Sequence, residues 1–170
     1  MREGMDGLLK WLEDSDFYSA PASTKYHDSC PGGLVSHSLR VYDEFKRISA
    51  AYPEISVSEE SAVIVTLFHD LCKVNFYGVE KRNRKNEAGK WESYDAYSVS
   101  ERFCYGGHGS KSVYLVQYFM KLTPDEAVAI NCHMGARDPN NDYVDRAYEQ
   151  CHLAWLLHIA DEAATYLKKE

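Results

Sequence analysis

The stretch Ala62–Phe68, followed at once by His69 and Asp70, constrains the fold of this chain most strongly. Its side chains are apolar on nearly every side, and a helix of that kind lies in the centre of a domain. The pattern predicts a buried helix over about Glu59–Val74, with His69 and Asp70 at its C-terminal end. Burying a carboxylate beside an imidazole is unfavourable unless a partner compensates it. A divalent cation compensates both groups, and a hydrogen-bonded His-Asp pair that caps the helix is the alternative.

The size and composition of the chain are those of one globular domain. It has 170 residues, of which 45% are hydrophobic and 26% charged, and this is enough to bury a single core. No apolar run approaches the ~18 residues of a membrane span, and no apolar segment of a secretory signal is visible at the start. We therefore expect a single domain over residues 1–170, no membrane association and a cytoplasmic location.

The cysteines are widely spaced and form no Cys-x-x-Cys pair, which argues against a zinc knuckle or a redox motif of that type. An odd number of dispersed thiols favours a reducing compartment, and we expect no structural disulfide. The five cysteines are Cys30, Cys72, Cys104, Cys132 and Cys151.

The charge balance restricts the class of ligand. The chain carries 19 basic and 26 acidic residues, a formal net charge of −7. A surface that follows long duplex nucleic acid needs a basic face to neutralise phosphates, so we expect no such partner. A small phosphate ester in a local pocket remains compatible with this charge.

Helical periodicity accounts for most of the remaining chain. Ser56-Val57-Ser58-Glu59 matches a capping box, and Thr123, Pro124 and Glu126 are typical of a helix start. Residues 15–33 and 138–141 are predicted loops, and residues 86–89 form a predicted turn between two extended runs. We predict an all-α bundle of five to seven helices with a small β-hairpin insertion near residues 76–98. Beside the central helix, the predicted helices are Gly4–Glu13, one from Leu34 to before Pro53, Ser110–Leu122, Thr123–His133 and Tyr143–Lys168.

Two further residues are placed to meet the His69–Asp70 pair. His37 lies three residues after Leu34 and four before Val41, on the inward stripe of its helix. Asp161 follows apolar residues on the last helix, where an uncompensated carboxylate is unfavourable. Helical bundles build metal sites from inward side chains on facing helices, so we expect His37 and Asp161 to converge on the pair.

This order of residues resembles the HD-domain metal-dependent phosphohydrolase superfamily. The resemblance covers about residues 20–168 and is closest to small stand-alone HD hydrolases of bacteria and their phages. Its strongest features are the Gly-Gly-Leu-x-x-His approach to His37, the adjacent His69 and Asp70, and the carboxylate on the last helix. The stretches that carry it are 20–24, Gly32–Leu39, Leu67–Lys73, Gly107–Ser112 and His158–Asp161.

The resemblance implies one or two divalent metal ions. His37, His69, Asp70 and Asp161 would bind the first. In binuclear members two intervening histidines bind a second ion and the HD aspartate bridges both, and His108 and His133 stand at these positions.

The alternatives for these two histidines are a glycine-flanked loop residue for His108 and a helix-end residue for His133. Mixed His and carboxylate ligation suits Mn, Fe, Zn, Ni, Co or Mg. His27 and His158 are expected to contact ligands rather than the ion, and His152 is expected to be structural.

Several basic residues are candidates for binding the substrate phosphate. Lys73 lies one helical turn after His69 and is expected to be catalytic together with Asp70; a solvated helix-end lysine is the alternative. Lys111 lies where a helix opens, and free N–H groups there attract anions. Arg82 and Arg84 belong to a cluster of charged residues whose alternative role is the solvated face of a hairpin.

The predicted reaction is hydrolysis of a phosphomonoester or phosphodiester, with a nucleotide as the expected substrate, by a metal-activated water. Two alternatives remain open at this point. One is a 3′-end nuclease, against which the net charge counts. The other is a non-catalytic sensor that binds metal and nucleotide.

Overall fold

The computed structural model describes residues 2–101, 106–137 and 142–167. The described ranges contain seven α-helices and one antiparallel hairpin, which confirms the predicted mostly helical bundle with a small β-hairpin. Three sequence predictions fall outside the described residues. They are the loop at residues 138–141, the free thiol of Cys104 and the end of the last helix at Lys168. The helices are α1 (Met5–Glu13), α2 (Gly33–Ser49), α3 (Glu59–Phe68), α4 (His108–Phe119), α5 (Pro124–Cys132), α6 (Val144–Gln150) and α7 (His152–Tyr166).

The starts of α3 and α5 follow from their capping residues. Thr123 caps α5 in a capping box with Glu126, as predicted. At α3 the predicted box was displaced by two residues. Ser58, not Ser56, has the extended backbone of an N-cap, and its hydroxyl accepts a hydrogen bond of 3.0 Å from the N–H of Ser61.

Two predicted helices are shorter than the sequence indicated. The central helix was expected to reach Val74, but α3 ends at Phe68 and a 3-10 turn over Leu71–Lys73 follows. The last predicted helix is divided into α6 and α7 at Cys151, whose φ of −131° and ψ of 89° lie outside the helical region. The first break places His69 and Asp70 at a bend inside the core.

The hairpin consists of β1 (Tyr77–Lys85) and β2 (Trp91–Val99), paired from Tyr77 with Val99 to Lys85 with Trp91. Its turn lies where it was predicted, and the Oδ1 of Asn86 accepts hydrogen bonds there from the N–H groups of Ala88 and Lys90. Most of β1 is exposed. The hairpin therefore extends away from the bundle, and its base joins the bundle beside the 3-10 turn.

The core lies between α2, α3, α5 and α7, with α2 packed on α7 and α3, and α5 packed on α7 and α4. Its apolar side chains include Leu34, Phe45, Ile64, Ile130 and Leu156, all essentially inaccessible to solvent. This packing directs the C-terminal ends of α3 and α5 toward the inward faces of α2 and α7. Among the described residues, no helix combines the length and the apolar character needed to cross a bilayer.

Candidate metal centre

The residues after α3 bring an imidazole and a carboxylate into the interior. Both His69 and Asp70 are buried, because α3 is surrounded by apolar neighbours and ends inside the bundle. The Nε2 of His69 lies 3.4 Å from the Oδ2 of Asp70. The two side chains therefore point toward the same place in the core, although neighbouring residues within a helix would point in different directions.

The facing helices add two more groups to that point. His37 comes from α2, and its Nε2 lies 3.0 Å from the Oδ1 of Asp161 on α7 and 3.9 Å from the Oδ2 of Asp70. The Oδ1 of Asp161 also lies 4.0 Å from the Nε2 of His69. The structure thus brings together the four residues that the sequence assigned to a first metal ion.

His133, immediately after α5, joins the same centre. Its Nε2 lies 3.6 Å from the Oδ1 of Asp70. Among the described residues, two groups have all their ligand atoms within 4.8 Å of one another: His37, His69 and Asp70 form one, and His69, His133 and Asp161 form the other. Because the groups share His69 and are linked through the two aspartates, these five residues form one cluster, called the metal centre below.

Backbone carbonyls orient two of the histidines. The Nδ1–H of His69 donates to the carbonyl of Thr66 at 2.8 Å, and that of His133 donates to the carbonyl of Ile130 at 2.7 Å. A carbonyl only accepts hydrogen bonds, so in the neutral ring the proton lies on Nδ1 and the lone pair on Nε2. This is the tautomer of a histidine that binds a metal through Nε2.

The free nitrogens of the centre fit a cation. The Nε2 atoms of His37, His69 and His133 are buried and have no hydrogen-bond partner in the described part of the chain. Each faces a carboxylate oxygen at 3.0–3.6 Å. Buried polar atoms are rarely left unpaired, and nitrogen lone pairs beside carboxylates form the donor set of a transition-metal ion.

The electrostatics keep both carboxylates ionised. Burial opposes the ionisation of Asp70, but the charge of Lys73 and the neighbouring imidazoles of His69 and His133 outweigh it, so its pKa lies well below the usual range. For Asp161 burial is likewise outweighed, here by the neighbouring imidazoles of His37, His69 and His133, and its pKa is lowered. Two carboxylates are therefore available as anionic ligands at neutral pH.

Lys73 lies in the 3-10 turn and contacts the centre directly. Its Nζ donates to the Oδ2 of Asp70 at 2.6 Å. Burial disfavours its charged form, but the negative charge of Asp70 outweighs this effect and raises the pKa of the lysine. The ammonium is thus a buried cation beside a metal-facing carboxylate, which differs from a solvated helix-end lysine.

His108, the remaining predicted ligand, belongs to neither group of potential ligands. It is the first residue of α4, and its Nδ1 lies 3.4 Å from the Sγ of Cys72. Burial raises the pKa of the Cys72 thiol to about 12. The structure therefore places His108 next to a neutral thiol at the edge of the centre, and a second ion bound by His108 remains a prediction.

Lys111 is buried rather than available to an incoming phosphate. Its Nζ donates to the carbonyl of Cys72 at 2.7 Å and to the Oε2 of Glu101 at 2.5 Å, and it lies 4.9 Å from the centre of the Phe76 ring. These contacts connect α4, the 3-10 turn and both ends of the hairpin. In this structure the lysine supports the segment that carries Lys73, and binding of substrate by Lys111 remains a prediction.

The two arginines predicted to bind substrate lie on the hairpin. Arg82 pairs with Glu80 at 2.6 Å, and Arg84 pairs with Glu92 at 2.7 Å; all four side chains are more than a third exposed. Acidic partners on the hairpin itself occupy both guanidinium groups. The structure places them with these carboxylates and not with the five residues of the centre.

Two contacts around the centre concern histidines outside it. The Nδ1–H of His158 donates to the carbonyl of His133 at 2.7 Å, so His158 contacts a residue of the centre. The His27 ring lies against that of His37, with 4.9 Å between the ring centres. Burial, followed by the charges of His37 and Lys73, lowers the pKa of His27 to about 4.

Sequence reasoning missed the carbonyls of Thr66 and Ile130 that fix the imidazoles. A signal was present, because each carbonyl belongs to the residue three positions before a histidine that directly follows a helix. His69 and His133 have the same backbone angles, φ −58° and ψ −33°. A histidine at that position can turn its Nδ1 back onto the last helical turn.

A comparison with known protein families agrees with this geometry. The model of the HD domain family matches residues 34–166, well over half of the chain and a range that includes all five residues of the centre. No curated protein and no solved structure matches the chain significantly. Because the family model matches, the chain belongs to the HD domain family, whose members are generally metal-dependent hydrolases that bind divalent metals.

Proposed function

We propose that this protein is a metal-dependent phosphohydrolase that hydrolyses a phosphomonoester or phosphodiester, with a nucleotide as the substrate. The observation that carries the proposal is the convergence of three unpartnered histidine Nε2 atoms on two ionised carboxylates inside the bundle. Membership of the HD domain family supports the reaction class. The choice of a nucleotide rests on the resemblance to the wider superfamily.

The five residues of the centre would hold the cation, and their surroundings preorganise them. Fixed Nδ1–H groups keep the lone pairs of His69 and His133 directed inward. A bound divalent cation lowers the pKa of a coordinated water toward ~7 and polarises a phosphoryl oxygen. Because the ligands come from rigid helices and their ends, little reorganisation is required when substrate binds.

The open side of the centre lies at Asp161. Its side chain is 13% exposed, whereas those of the other four residues are at most 3% exposed. Substrate would therefore approach from the side of Asp161. Lys73, held at Asp70, places a positive charge where charge on a phosphate is to be neutralised.

In the described part of the chain, the two carboxylates of the centre, Asp70 and Asp161, are contacted by one lysine, Lys73, so negative charge exceeds positive charge before a cation binds. An anionic phosphate is therefore repelled until a divalent cation is present. We expect inorganic phosphate to bind the metal-loaded protein and not the metal-free protein.

A substrate panel tests the proposed function. The metal-free protein would be loaded with Mn²⁺, Co²⁺, Ni²⁺, Zn²⁺ or Mg²⁺ and assayed with p-nitrophenyl phosphate, bis-p-nitrophenyl phosphate, nucleotides and short 3′-ended oligonucleotides. We expect metal-dependent release of phosphate or alcohol, lost in His37→Ala and retained in His152→Ala, an exposed histidine at the start of α7. No turnover with any metal, together with micromolar nucleotide binding, would favour the sensor instead.

A further inference from the structure

The loop before α2 is fixed against the bundle beside the metal centre. The N–H of Ala22 donates to the carbonyl of Asp28 at 3.0 Å and closes the loop. Within it, the Oγ of Ser23 donates to the carbonyl of His27 at 2.7 Å and accepts from the N–H of Tyr26 at 2.9 Å. The backbone of His27 is therefore held on both sides, which restricts where its imidazole can lie.

The imidazole of His27 has an unused polar atom. Its ring packs on His37, and its Nε2 is buried without a hydrogen-bond partner among the described residues. Neither group of potential metal ligands includes His27. Leaving a buried nitrogen unsatisfied is unfavourable, so this nitrogen is available to a partner that arrives with a ligand.

The neighbours of His27 indicate what that ligand is. His37, on which His27 packs, lies 3.0 Å from Asp161, the most exposed residue of the centre. The Nζ of Lys73 lies 2.6 Å from the Oδ2 of Asp70, an oxygen that in turn lies 3.9 Å from the Nε2 of His37. The nitrogens of His27 and Lys73 thus belong to side chains that each contact a residue of the centre. Both are hydrogen-bond donors, and the oxygens of a phosphate accept hydrogen bonds.

We propose that His27 binds the substrate, its imidazole donating an Nε2–H hydrogen bond to a phosphoryl oxygen of the ester at the metal centre, next to Lys73. The inference rests on the proposed function. It assigns His27 to the phosphate rather than to the metal or to His37. The loop over residues 20–32 then serves to carry a phosphate-binding residue to the open side of the centre.

Binding of inorganic phosphate to the metal-loaded protein, measured by isothermal titration calorimetry, tests the proposal. We expect His27→Phe to weaken phosphate binding about 10-fold or more, the effect of losing a hydrogen bond to a charged group, and His27→Gln, which keeps an N–H donor, to weaken it less. Metal content should stay at the wild-type level in both variants. His152→Phe, the matched control, should bind phosphate as the wild type does.

Two results would overturn the assignment of His27 while leaving the proposed function intact. One is wild-type phosphate affinity in His27→Phe. The other is a parallel loss of metal from His27→Phe and His27→Gln, which would show that His27 supports the metal ligand His37. Failure of phosphate to bind the metal-loaded wild type would reject the proposed function together with this inference. Circular dichroism melting curves establish that each variant is folded.

Discussion

The Nζ of Lys73 lies 2.6 Å from the Oδ2 of Asp70, and both groups are almost completely buried. Asp70 also contacts the Nε2 atoms of His37, His69 and His133 at 3.4–3.9 Å. One carboxylate therefore connects the three histidines of the centre to a buried lysine. This relationship supports the proposal that Lys73 neutralises charge on the substrate and that Asp70 binds the metal.

Replacing Lys73 separates these two roles. We expect Lys73→Met to lower kcat/KM by roughly 10- to 100-fold, because a fixed positive charge near the phosphate is lost, while the bound metal remains. Steady-state kinetics and elemental analysis of the same preparation measure both quantities. Lys10→Met, an exposed lysine of α1, is the control. Unchanged kinetics in Lys73→Met would show that the lysine only caps the turn.

The pair of Arg2 and Glu126 predicts a pH-dependent contribution to stability. The buried carboxylate of Glu126 accepts hydrogen bonds from Arg2 at 2.5 and 2.9 Å, from Ser61 at 2.8 Å and from the N–H of Thr123 at 2.8 Å. Burial alone would raise the pKa of Glu126, but these partners outweigh it and the pKa is lowered. A carboxyl with a lowered pKa stabilises the folded state above its unfolded pKa and loses that effect as the pH falls through the folded value.

We therefore expect Glu126→Gln to lower the free energy of unfolding at pH 7 by about 2 kcal/mol. The difference from the wild type should shrink as the pH falls below about 4.3, the usual pKa of a glutamate. Urea denaturation at a series of pH values measures it. Glu60→Gln, which removes a half-exposed partner of the same Arg2, should have a much smaller effect. A difference that is constant across pH would contradict this assignment.

Replacing two helical glycines with alanine is expected to change stability in opposite directions, because Gly109 of α4 packs closely on α5 and Gly7 of α1 has room for a side chain. A Cβ at Gly109 would lie 2.1 Å from the carbonyl oxygen of Asn131, whereas one at Gly7 would meet only the Phe119 ring at 3.6 Å. Gly109→Ala should destabilise the fold by about 1–3 kcal/mol through overpacking. Gly7→Ala should stabilise it by about 0.5–1 kcal/mol, because alanine is the better helix former.

Thermal denaturation of the two glycine variants measures the contrast. Equal stability of Gly109→Ala and the wild type would mean that α4 and α5 lie farther apart than the structure has them. The metal centre is affected by the same packing, since α5 leads directly to His133. Gly109→Ala should therefore also bind metal more weakly than Gly7→Ala.

The sequence was sufficient to predict which side chains converge when that depends on helix faces. His37 lies on the inward stripe of α2, and Asp161 follows an apolar turn of α7, so their convergence on Asp70 follows from amphipathic packing. The helix breaks were not predictable in the same way. Residues 68–73 contain neither glycine nor proline, and Cys151 interrupts an apolar helical pattern. These breaks depend on tertiary contacts that local propensity does not encode.

The role of Lys111 also depended on a distant partner. Its position at a helix start suggested an anion site, but the carboxylate of Glu101 and the carbonyl of Cys72 occupy its ammonium. Neither contact has a sequence signal. The orientation of His69 and His133 is partly predictable from the sequence. The carbonyl acceptors of their Nδ1–H groups are local, but only the fold directs the Nε2 atoms to a common point.

Metal content tests the central claim most directly. Elemental analysis of the wild type, Asp70→Ala and His152→Ala, purified in parallel and shown to be folded, compares a residue of the centre with an exposed histidine. We predict at least one divalent first-row metal ion per chain in the wild type and His152→Ala, and none in Asp70→Ala. If His108 and His133 hold a second ion, His133→Ala should retain one of two. Equal metal content in the wild type and Asp70→Ala would contradict the account.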